Sequence, residues 1–132
     1  MSREGQQQSL DAGRRRILIV EDDSDLREAL AQILSDEGYE VLGASHGQEA
    51  LDSLRVGRRP CLILLDLTMP VMNGWQFRDI QRHDPVISGI PVIVLSAGQD
   101  LPAQMPVLGL QEFIRKPIRL EFLLDSVARF CR

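Results

Sequence analysis

Short runs of apolar residues alternate along this chain with stretches whose apolar residues recur at helical spacing. Residues 17–20 form the first run, which contains no polar side chain and is typical of a strand that is buried on both faces. Leu26, Leu30 and Leu34 then recur four residues apart and form one face of a helix. Because a strand buried on both faces needs helices on either side, the alternation predicts a parallel sheet between two helical layers.

The alternation continues to the end of the chain. Further strands are predicted at residues 41–44, 61–65 and 91–95, which are apolar runs, and at residues 112–115, where Phe113 and Ile114 lie between two charged residues. Helical stretches separate the runs, and the last stretch places five apolar residues on one stripe, Leu120, Leu123, Leu124, Val127 and Ala128. Five such units in 132 residues predict one doubly wound α/β domain over residues 14–132, preceded by a disordered polar tail over residues 1–13.

Residues with strong end preferences mark the limits of the predicted helices. Ser24 is the predicted N-cap of the first helix, and Gly38 follows its last turn as a C-terminal stop. The stretch between the fourth and fifth strands is different, because glycines and prolines interrupt it, namely Gly98, Pro102, Pro106 and Gly109. A proline inside a helix costs about 3 kcal/mol, so the helix of this stretch is predicted to be short or irregular.

Composition narrows the classes of partner and location. The net charge of −4 argues against a direct nucleic-acid partner, since phosphate binding usually needs a basic face. The longest apolar runs have about five residues, whereas a membrane-spanning helix needs ~20, and no segment resembles a secretion signal. Cys61 and Cys131 show neither metal-ligand spacing nor a disulfide framework, which predicts two reduced thiols in a cytoplasmic protein.

Polar residues follow four of the five predicted strands, at the edge where open parallel sheets bind their ligands. In chain order these residues are Glu21 and Asp22, Asp66, Ser96 and Lys116. Three carboxylates in close proximity must raise a pKa, find cations or bind a metal. Oxygen ligands without His or Cys select a hard cation such as Mg²⁺, which leaves room for phosphate oxygens.

The same residues have the parts of a phosphoryl-transfer site, namely a nucleophile, a metal, a cation for the phosphoryl oxygens and a hydroxyl donor. Asp66, the metal, Lys116 and Ser96 fill these roles in turn. Lys116 is the single lysine beside fourteen arginines, which indicates a need for a compact ammonium. Pro117 follows it, and a cis X-Pro turn there can direct the lysine over the site.

Five motifs in order carry a resemblance to a known family. They are Ile-Val-Glu-Asp-Asp at 19–23, Leu-Leu-Asp-Leu-Thr-Met-Pro at 64–70, Asn-Gly at 73–74, Leu-Ser-Ala at 95–97 and Lys-Pro at 116–117. Over about residues 15–130 the chain resembles the receiver domain of two-component response regulators. The resemblance implies a flavodoxin-like sheet with strand order 2-1-3-4-5, flanked by helices.

The resemblance also implies a role for each residue of the acidic site. Asp66 is the implied acceptor of a phosphoryl group from a histidine kinase or a histidine phosphotransfer protein. Asp22 is implied to bind Mg²⁺ directly, Glu21 through water and Thr68 through its main-chain carbonyl, with Asp66 as a further ligand.

Ser96, Lys116 and Phe113 are the implied switch residues. Ser96 would hydrogen-bond the phosphoryl group after it arrives, and Lys116 would pair with it. Phe113 lies where the family carries an aromatic that turns inward when the hydroxyl is drawn to the phosphate. The phosphorylated domain would act on a downstream protein target, as a switch with at most self-catalysed phosphotransfer and autodephosphorylation rather than as a turnover enzyme.

Two other functions remain open. A haloacid-dehalogenase-type phosphatase also uses an aspartate nucleophile and Mg²⁺ at strand ends, but those enzymes carry a second Asp two positions later, where this chain has Thr68. A pseudo-receiver binds partners without being phosphorylated. Such domains usually lose an acid, the acceptor or the lysine, and this chain retains all of them.

Overall fold

The apolar runs of the sequence form one parallel sheet in the computed structural model, which describes residues 15–57, 59–67, 69, 71–97, 105–106, 109–110 and 112–131. The strands are β1 (Arg16–Val20), β2 (Glu40–Ala44), β3 (Leu62–Asp66), β4 (Val92–Ser96) and β5 (Phe113–Arg115). Their order across the sheet is β2-β1-β3-β4-β5, and all four pairings are parallel. The predicted doubly wound order is confirmed, and each predicted strand agrees with the observed bounds to within one residue at either end.

Four helices in the described part of the chain cover the sheet, α1 (Ser24–Asp36), α2 (Gly47–Val56), α3 (Gly74–Arg82) and α4 (Leu120–Phe130). None of them is long and apolar enough to cross a membrane. The predicted tail over residues 1–13 lies outside the described residues, and so does most of the stretch between β4 and β5 for which a short or irregular helix is predicted.

The sheet separates two apolar clusters because successive side chains of a strand point to opposite faces. Leu18 and Ile63 belong to the cluster that α2 and α3 cover, with Leu51 and Phe77 among the helical residues. The second cluster contains the alternate strand residues together with buried residues of α1 and α4, among them Ile19, Leu64, Leu34 and Leu123. Strands β1 and β3 are buried along their whole length. The polar residues that follow them are therefore held on a rigid support.

Helix α1 begins one residue earlier than the sequence predicted. Asp23, and not Ser24, is its N-cap, and the Asp23 carboxylate accepts hydrogen bonds from the backbone N–H groups of Asp25 and Leu26. Both residue types cap helices well, but a carboxylate also interacts favourably with the positive end of the helix dipole. Gly38 follows the last turn with φ = 96°, a conformation that glycine adopts without strain, which confirms the predicted stop.

The apolar stripe predicted for the last helix is only partly correct. Leu123 and Val127 are buried against the sheet, but Leu120 is 46% exposed and Ala128 is also exposed. Ser126 is fully buried in their place. Helix α4 is therefore rotated so that positions 123, 126 and 127 face the sheet, and both ends of the predicted stripe turn outward.

The prediction of two reduced cysteines is wrong. Cys61 and Cys131 form a disulfide with a Cα–Cα distance of 5.5 Å, across 70 residues of sequence. Spacing along the chain gave no indication of this pair, because the parallel topology brings the start of β3 and the end of α4 together. The described residues contain no reduced cysteine.

Helix α3 carries a buried polar network on its inner face. The side-chain amide of Gln81, which is fully buried, donates hydrogen bonds to the carbonyls of Ile87 and Ile90 at 2.9 and 3.1 Å. Its oxygen accepts a bond from Arg78 at 2.6 Å, and Arg78 also donates to the carbonyl of Gly109 at 3.0 Å. Burial, with a smaller effect from Arg82, lowers the pKa of Arg78. The network connects α3 to the segments on both sides of β4.

We expect Gln81→Met to lower the free energy of unfolding by about 3 kcal/mol, because it removes the partner of two buried carbonyls and of a buried guanidinium. Gln32→Met is the matched control, since the Gln32 amide is exposed and bonds only Asp36 within α1. The control should stay within about 0.5 kcal/mol of the wild type. Chemical denaturation measures both, and equal stabilities for the two variants would contradict the role given to Gln81.

Candidate functional site

Three carboxylates meet at the carboxyl edge of the sheet. Glu21 follows β1, Asp22 follows Glu21, and Asp66 is the last residue of β3. Strands β1 and β3 are paired neighbours, with Val20 opposite Leu65, so both strands end at the same level of the sheet. One oxygen from each carboxylate lies within 4.8 Å of the others. Glu21 and Asp66 are 1% and 5% exposed, whereas Asp22 is exposed, so the group opens to solvent on the side of Asp22.

Lys116 is the cation of this group. Its ammonium donates a hydrogen bond to Glu21 Oε1 at 3.0 Å and lies 3.5 Å from Asp66 Oδ1. Burial acts to lower the pKa of Lys116, but the hydrogen bond to Glu21 and the charge of Asp66 outweigh burial and raise that pKa above its ordinary value. The Lys116–Pro117 peptide bond is cis, the arrangement that the sequence had indicated as possible.

Arg27 holds the loop between β1 and α1, a role that no pattern in the sequence indicated. Its guanidinium donates to the main-chain carbonyl of Glu21 at 2.7 Å. The second carboxylate oxygen of Glu21 accepts the backbone N–H of Asp23 at 3.2 Å. Gly43 on β2 leaves the space that the Arg27 side chain occupies, since a Cβ there would lie 3.2 Å from Arg27 Cδ. Glu21 is thus fixed through both its side chain and its backbone.

The end of β2 supports helix α2 and contributes no ligand to the acidic group. The backbone N–H and the hydroxyl of Ser45 donate to the Glu49 carboxylate at 2.6 and 2.9 Å, and these bonds lower the pKa of Glu49. His46 is the N-cap of α2, and its Nδ1 accepts the backbone N–H of Glu49 at 3.2 Å.

The loop after Asp66 is packed too closely for a side chain at Gly74. A Cβ on Gly74 would lie 2.5 Å from the Asp66 carbonyl oxygen and 2.7 Å from Leu67 Cα. Asn73 and Gln76 form a capping box that begins α3 at this point. Val71, which is 79% exposed, has φ = 64° in the same loop. A β-branched residue at positive φ is strained, so the loop is held in a conformation that its own sequence disfavours.

The predicted switch residues lie on the neighbouring strands. Ser96 ends β4 with its side chain partly exposed, and its carbonyl accepts the backbone N–H of Lys116 at 2.9 Å. Phe113 begins β5, is half-buried, and lies under the guanidinium of Arg115 at 5.6 Å from the ring centroid. Thr68, whose carbonyl is predicted to bind the metal, lies outside the described residues.

The donor set fits a hard divalent cation. All three side chains offer oxygen, and neither His nor Cys belongs to the group that the described residues form. Mg²⁺ prefers such ligands and keeps water molecules in its remaining coordination positions. The site is open to solvent at Asp22, so these waters can reach it. The structure therefore brings together four of the predicted site residues, Glu21, Asp22, Asp66 and Lys116, and links Ser96 to them through the backbone.

Comparison with known families agrees with this geometry. The model of the response regulator receiver domain matches residues 17–128, which include all five strands except Arg16, the first residue of β1, and the whole acidic group. The chain belongs to the response regulator receiver domain family. Receiver domains are in general switches rather than enzymes, and they carry an acidic pocket that binds a metal.

Solved receiver structures share the fold over most of this chain. The signal receiver domain of a histidine kinase from Syntrophus aciditrophicus is 33% identical, with a TM-score of 0.80 over 88% of this chain and 89% of that one. The chemotaxis response regulator CheY4 of Vibrio cholerae is 29% identical, with a TM-score of 0.79 over 87% of this chain and 97% of that one.

Curated relatives correct the expectation that nucleic acid is not a partner. The DNA-binding response regulator MtrA of Mycobacterium tuberculosis is 38% identical over 122 residues, which are 89% of this chain and 51% of the relative. Response regulator MprA of Mycolicibacterium vanbaalenii is 37% identical over 119 residues, 89% of this chain and 50% of the relative. The chain thus spans about half the length of the curated relatives it matches. The net charge of −4 is a poor guide to nucleic-acid binding here, because these relatives are about twice as long as the part that matches and the charge of that part does not determine what they bind.

We expect Gly74→Ala to destabilise the domain by about 3 kcal/mol, because the new methyl group meets backbone atoms of Asp66 and Leu67 that cannot move without displacing the acidic site. Gly89→Ala is the matched control. The nearest atom to its Cβ is the end of the flexible Arg59 side chain, at 3.1 Å. In thermal unfolding, the midpoint of Gly74→Ala should lie clearly below that of the wild type, whereas Gly89→Ala should keep the wild-type midpoint. A wild-type midpoint for Gly74→Ala would contradict the prediction and show that the loop relaxes around the new methyl group.

Proposed function

We propose that this receiver is switched by phosphorylation, with Asp66 as the acceptor of a phosphoryl group from the phosphohistidine of a histidine kinase or phosphotransfer protein. The observation that carries the proposal is the position of Asp66. Its carboxylate lies at the end of a fully buried strand, within 4.8 Å of two further carboxylates and 3.5 Å from an ammonium.

Attack by an Asp66 oxygen on phosphorus forms the new P–O bond and breaks the P–N bond of the donor. The imidazole leaves with the electron pair of that bond and takes a proton from solvent. Lys116, already within 3.5 Å of Asp66, would then pair with a phosphoryl oxygen. Asp66 is 5% exposed, so the attacking carboxylate has little water to lose.

Mg²⁺ is the proposed cofactor, held by Glu21, Asp22 and Asp66, with the main-chain carbonyl of Thr68 as a further ligand. When bound, it would neutralise negative charge that accumulates on the phosphoryl oxygens. The carboxylates supply the charge that attracts a cation to this edge, and Lys116 offsets part of it in the metal-free protein.

The proposed switch runs through Ser96 and Phe113. A phosphoryl group adds about −1.5 to −2 charges and three acceptor oxygens, so it offers new acceptors to the Ser96 hydroxyl and the Lys116 ammonium. Phe113 lines a surface groove of about 500 Å³ together with Leu110 and Phe122. A turn of the Phe113 ring would change the shape of this groove, and contacts with a downstream protein or protein segment can detect that change. The DNA-binding relatives support a downstream response in which DNA is bound.

The central experiment compares wild type with Asp66→Asn. With Mg²⁺ and acetyl phosphate, we expect the mass of one phosphoryl group on the wild type and none on the variant. Beryllofluoride with Mg²⁺ should change the fluorescence of Trp75, which lies half-buried in the first turn of α3, in the wild type only. Asp79→Asn, an exposed change on the same helix, is the control and should behave as wild type. A folded wild type without any response would favour the pseudo-receiver.

Lys116→Met should separate metal binding from phosphoryl recognition. We expect Mg²⁺ to bind several-fold more tightly, since a positive charge that competes for the carboxylates is removed. The beryllofluoride response should weaken about tenfold or more, because a charge-assisted hydrogen bond contributes ~1.5–3 kcal/mol. Arg119→Met removes the same charge from an exposed position outside the acidic group and is the control. Affinities that change in the same direction would contradict the role of Lys116.

A further inference from the structure

Helix α4 is connected to the sheet near both of its ends, at one end through the ammonium of Lys116 and at the other through the disulfide of Cys131. Lys116, which bonds Glu21, lies four residues before its first residue. Cys131 is its C-cap, with the backbone N–H bonded to the carbonyl of Val127 at 2.9 Å, and its sulfur is joined to Cys61. Phosphorylation of Asp66, as proposed above, would act through Lys116 and gives the disulfide no role.

The surroundings of Cys61 suit both oxidation states. Its Sγ lies 3.2 Å from the carbonyl oxygen of Arg16. At this distance the thiol of reduced Cys61 can donate a hydrogen bond to the carbonyl. A disulfide sulfur has no proton and cannot donate one. The backbone N–H of Cys61 bonds the same carbonyl at 2.8 Å, so β1 holds residue 61 in place whether or not the sulfurs are joined. The Cα–Cα distance of 5.5 Å is within the range in which a disulfide closes without backbone movement.

The two cysteines differ in exposure. Cys131 is 3% exposed and belongs to the apolar cluster with Leu123 and Val127, whereas Cys61 is half-buried at its margin. Thiol–disulfide exchange requires a thiolate to reach one sulfur, and Cys61 is the more exposed of the two residues. The thiol of Cys131 is then released inside the apolar cluster, next to Cys61, with which it can form the disulfide again.

We propose that Cys61 and Cys131 form a reversible redox site, with a small thiol and its disulfide, such as glutathione, as the co-reactants. In the reducing direction, one thiolate attacks Cys61 Sγ and the Cys131 thiolate leaves and takes a proton. A second thiol then resolves the mixed disulfide, so that two Cys thiols and one external disulfide are formed. Oxidation reverses these steps and fixes the C-terminal end of α4 to the start of β3.

The redox site acts on the opposite edge of the sheet from the acidic group. Cys61 lies just before β3 and Asp66 ends it, so five residue-to-residue steps along the strand place them about 16 Å apart. The two inputs therefore converge on α4 without sharing a residue. Tyr39 marks the same end of the sheet, because its hydroxyl lies 3.5 Å from the Cys131 carbonyl.

The first test equilibrates the folded wild type with a series of reduced and oxidised glutathione ratios, traps the thiols by alkylation and measures intact mass. We expect one transition between a doubly alkylated and an unalkylated protein, without a stable glutathione adduct. A disulfide that stays intact in excess reduced glutathione would overturn the proposal, since the bond would then be a permanent tie. A glutathione adduct on Cys61 in place of the pair would overturn it as well.

The second test measures whether α4 responds. On oxidation we expect a midpoint of thermal unfolding about 10 °C higher and, for the last turn of α4, amide exchange slowed about tenfold. Cys61→Ser is the matched control, because its hydroxyl retains the hydrogen bond to Arg16 and it should resemble the reduced wild type in every buffer. The same oxidation-dependent shift in Cys61→Ser, or unchanged exchange in oxidised wild type, would overturn the proposal.

Discussion

The ammonium of Lys116 joins carboxylates from two neighbouring strands that repel each other in its absence. Glu21 and Asp66 are both almost fully buried at the carboxyl ends of β1 and β3, and Lys116 lies 3.0 and 3.5 Å from their oxygens. The cost of burying two negative charges is offset only while a cation lies between them. Because Lys116 is also hydrogen-bonded through its backbone to Ser96, this one contact connects the ends of β1, β3, β4 and β5.

Parallel topology explains why these four strand ends can share one cation. Every strand of the sheet ends at the same edge, and complete burial of β1 and β3 leaves the chain no freedom to place Glu21 or Asp66 elsewhere. Supporting contacts then fix the loops, through Arg27 on the Glu21 carbonyl and through the close approach of Gly74 to Asp66. The charge of the site is thus determined by a few side chains, and its precision by the apolar sheet beneath them.

The sequence predicted what depends on local pattern. Apolar residues identified each strand to within one residue, in continuous runs for all but β5, and the polar residues after them identified the acidic group, because both follow from the pattern of a buried parallel sheet. It failed where the structure depends on contacts between distant segments. Cys61 and Cys131 are 70 residues apart, and nothing in their spacing indicated a bond. Asp23 replaced Ser24 as a cap because two good capping residues adjoin, and local preference cannot choose between them.

Helix α4 shows how a change of charge at one edge can reach a distant surface. Only residues 117–119 separate Lys116 from its first residue, so a movement of the Lys116 backbone acts directly on the start of the helix. The helix buries few apolar residues against the sheet, chiefly Leu123 and Val127, and its other face carries exposed apolar groups such as Phe122. If the proposed phosphorylation moves the helix, modest burial would keep its two arrangements close in free energy, so that one charge-assisted hydrogen bond would suffice to change their populations. The disulfide at Cys131 fixes the other end of the helix to the start of β3.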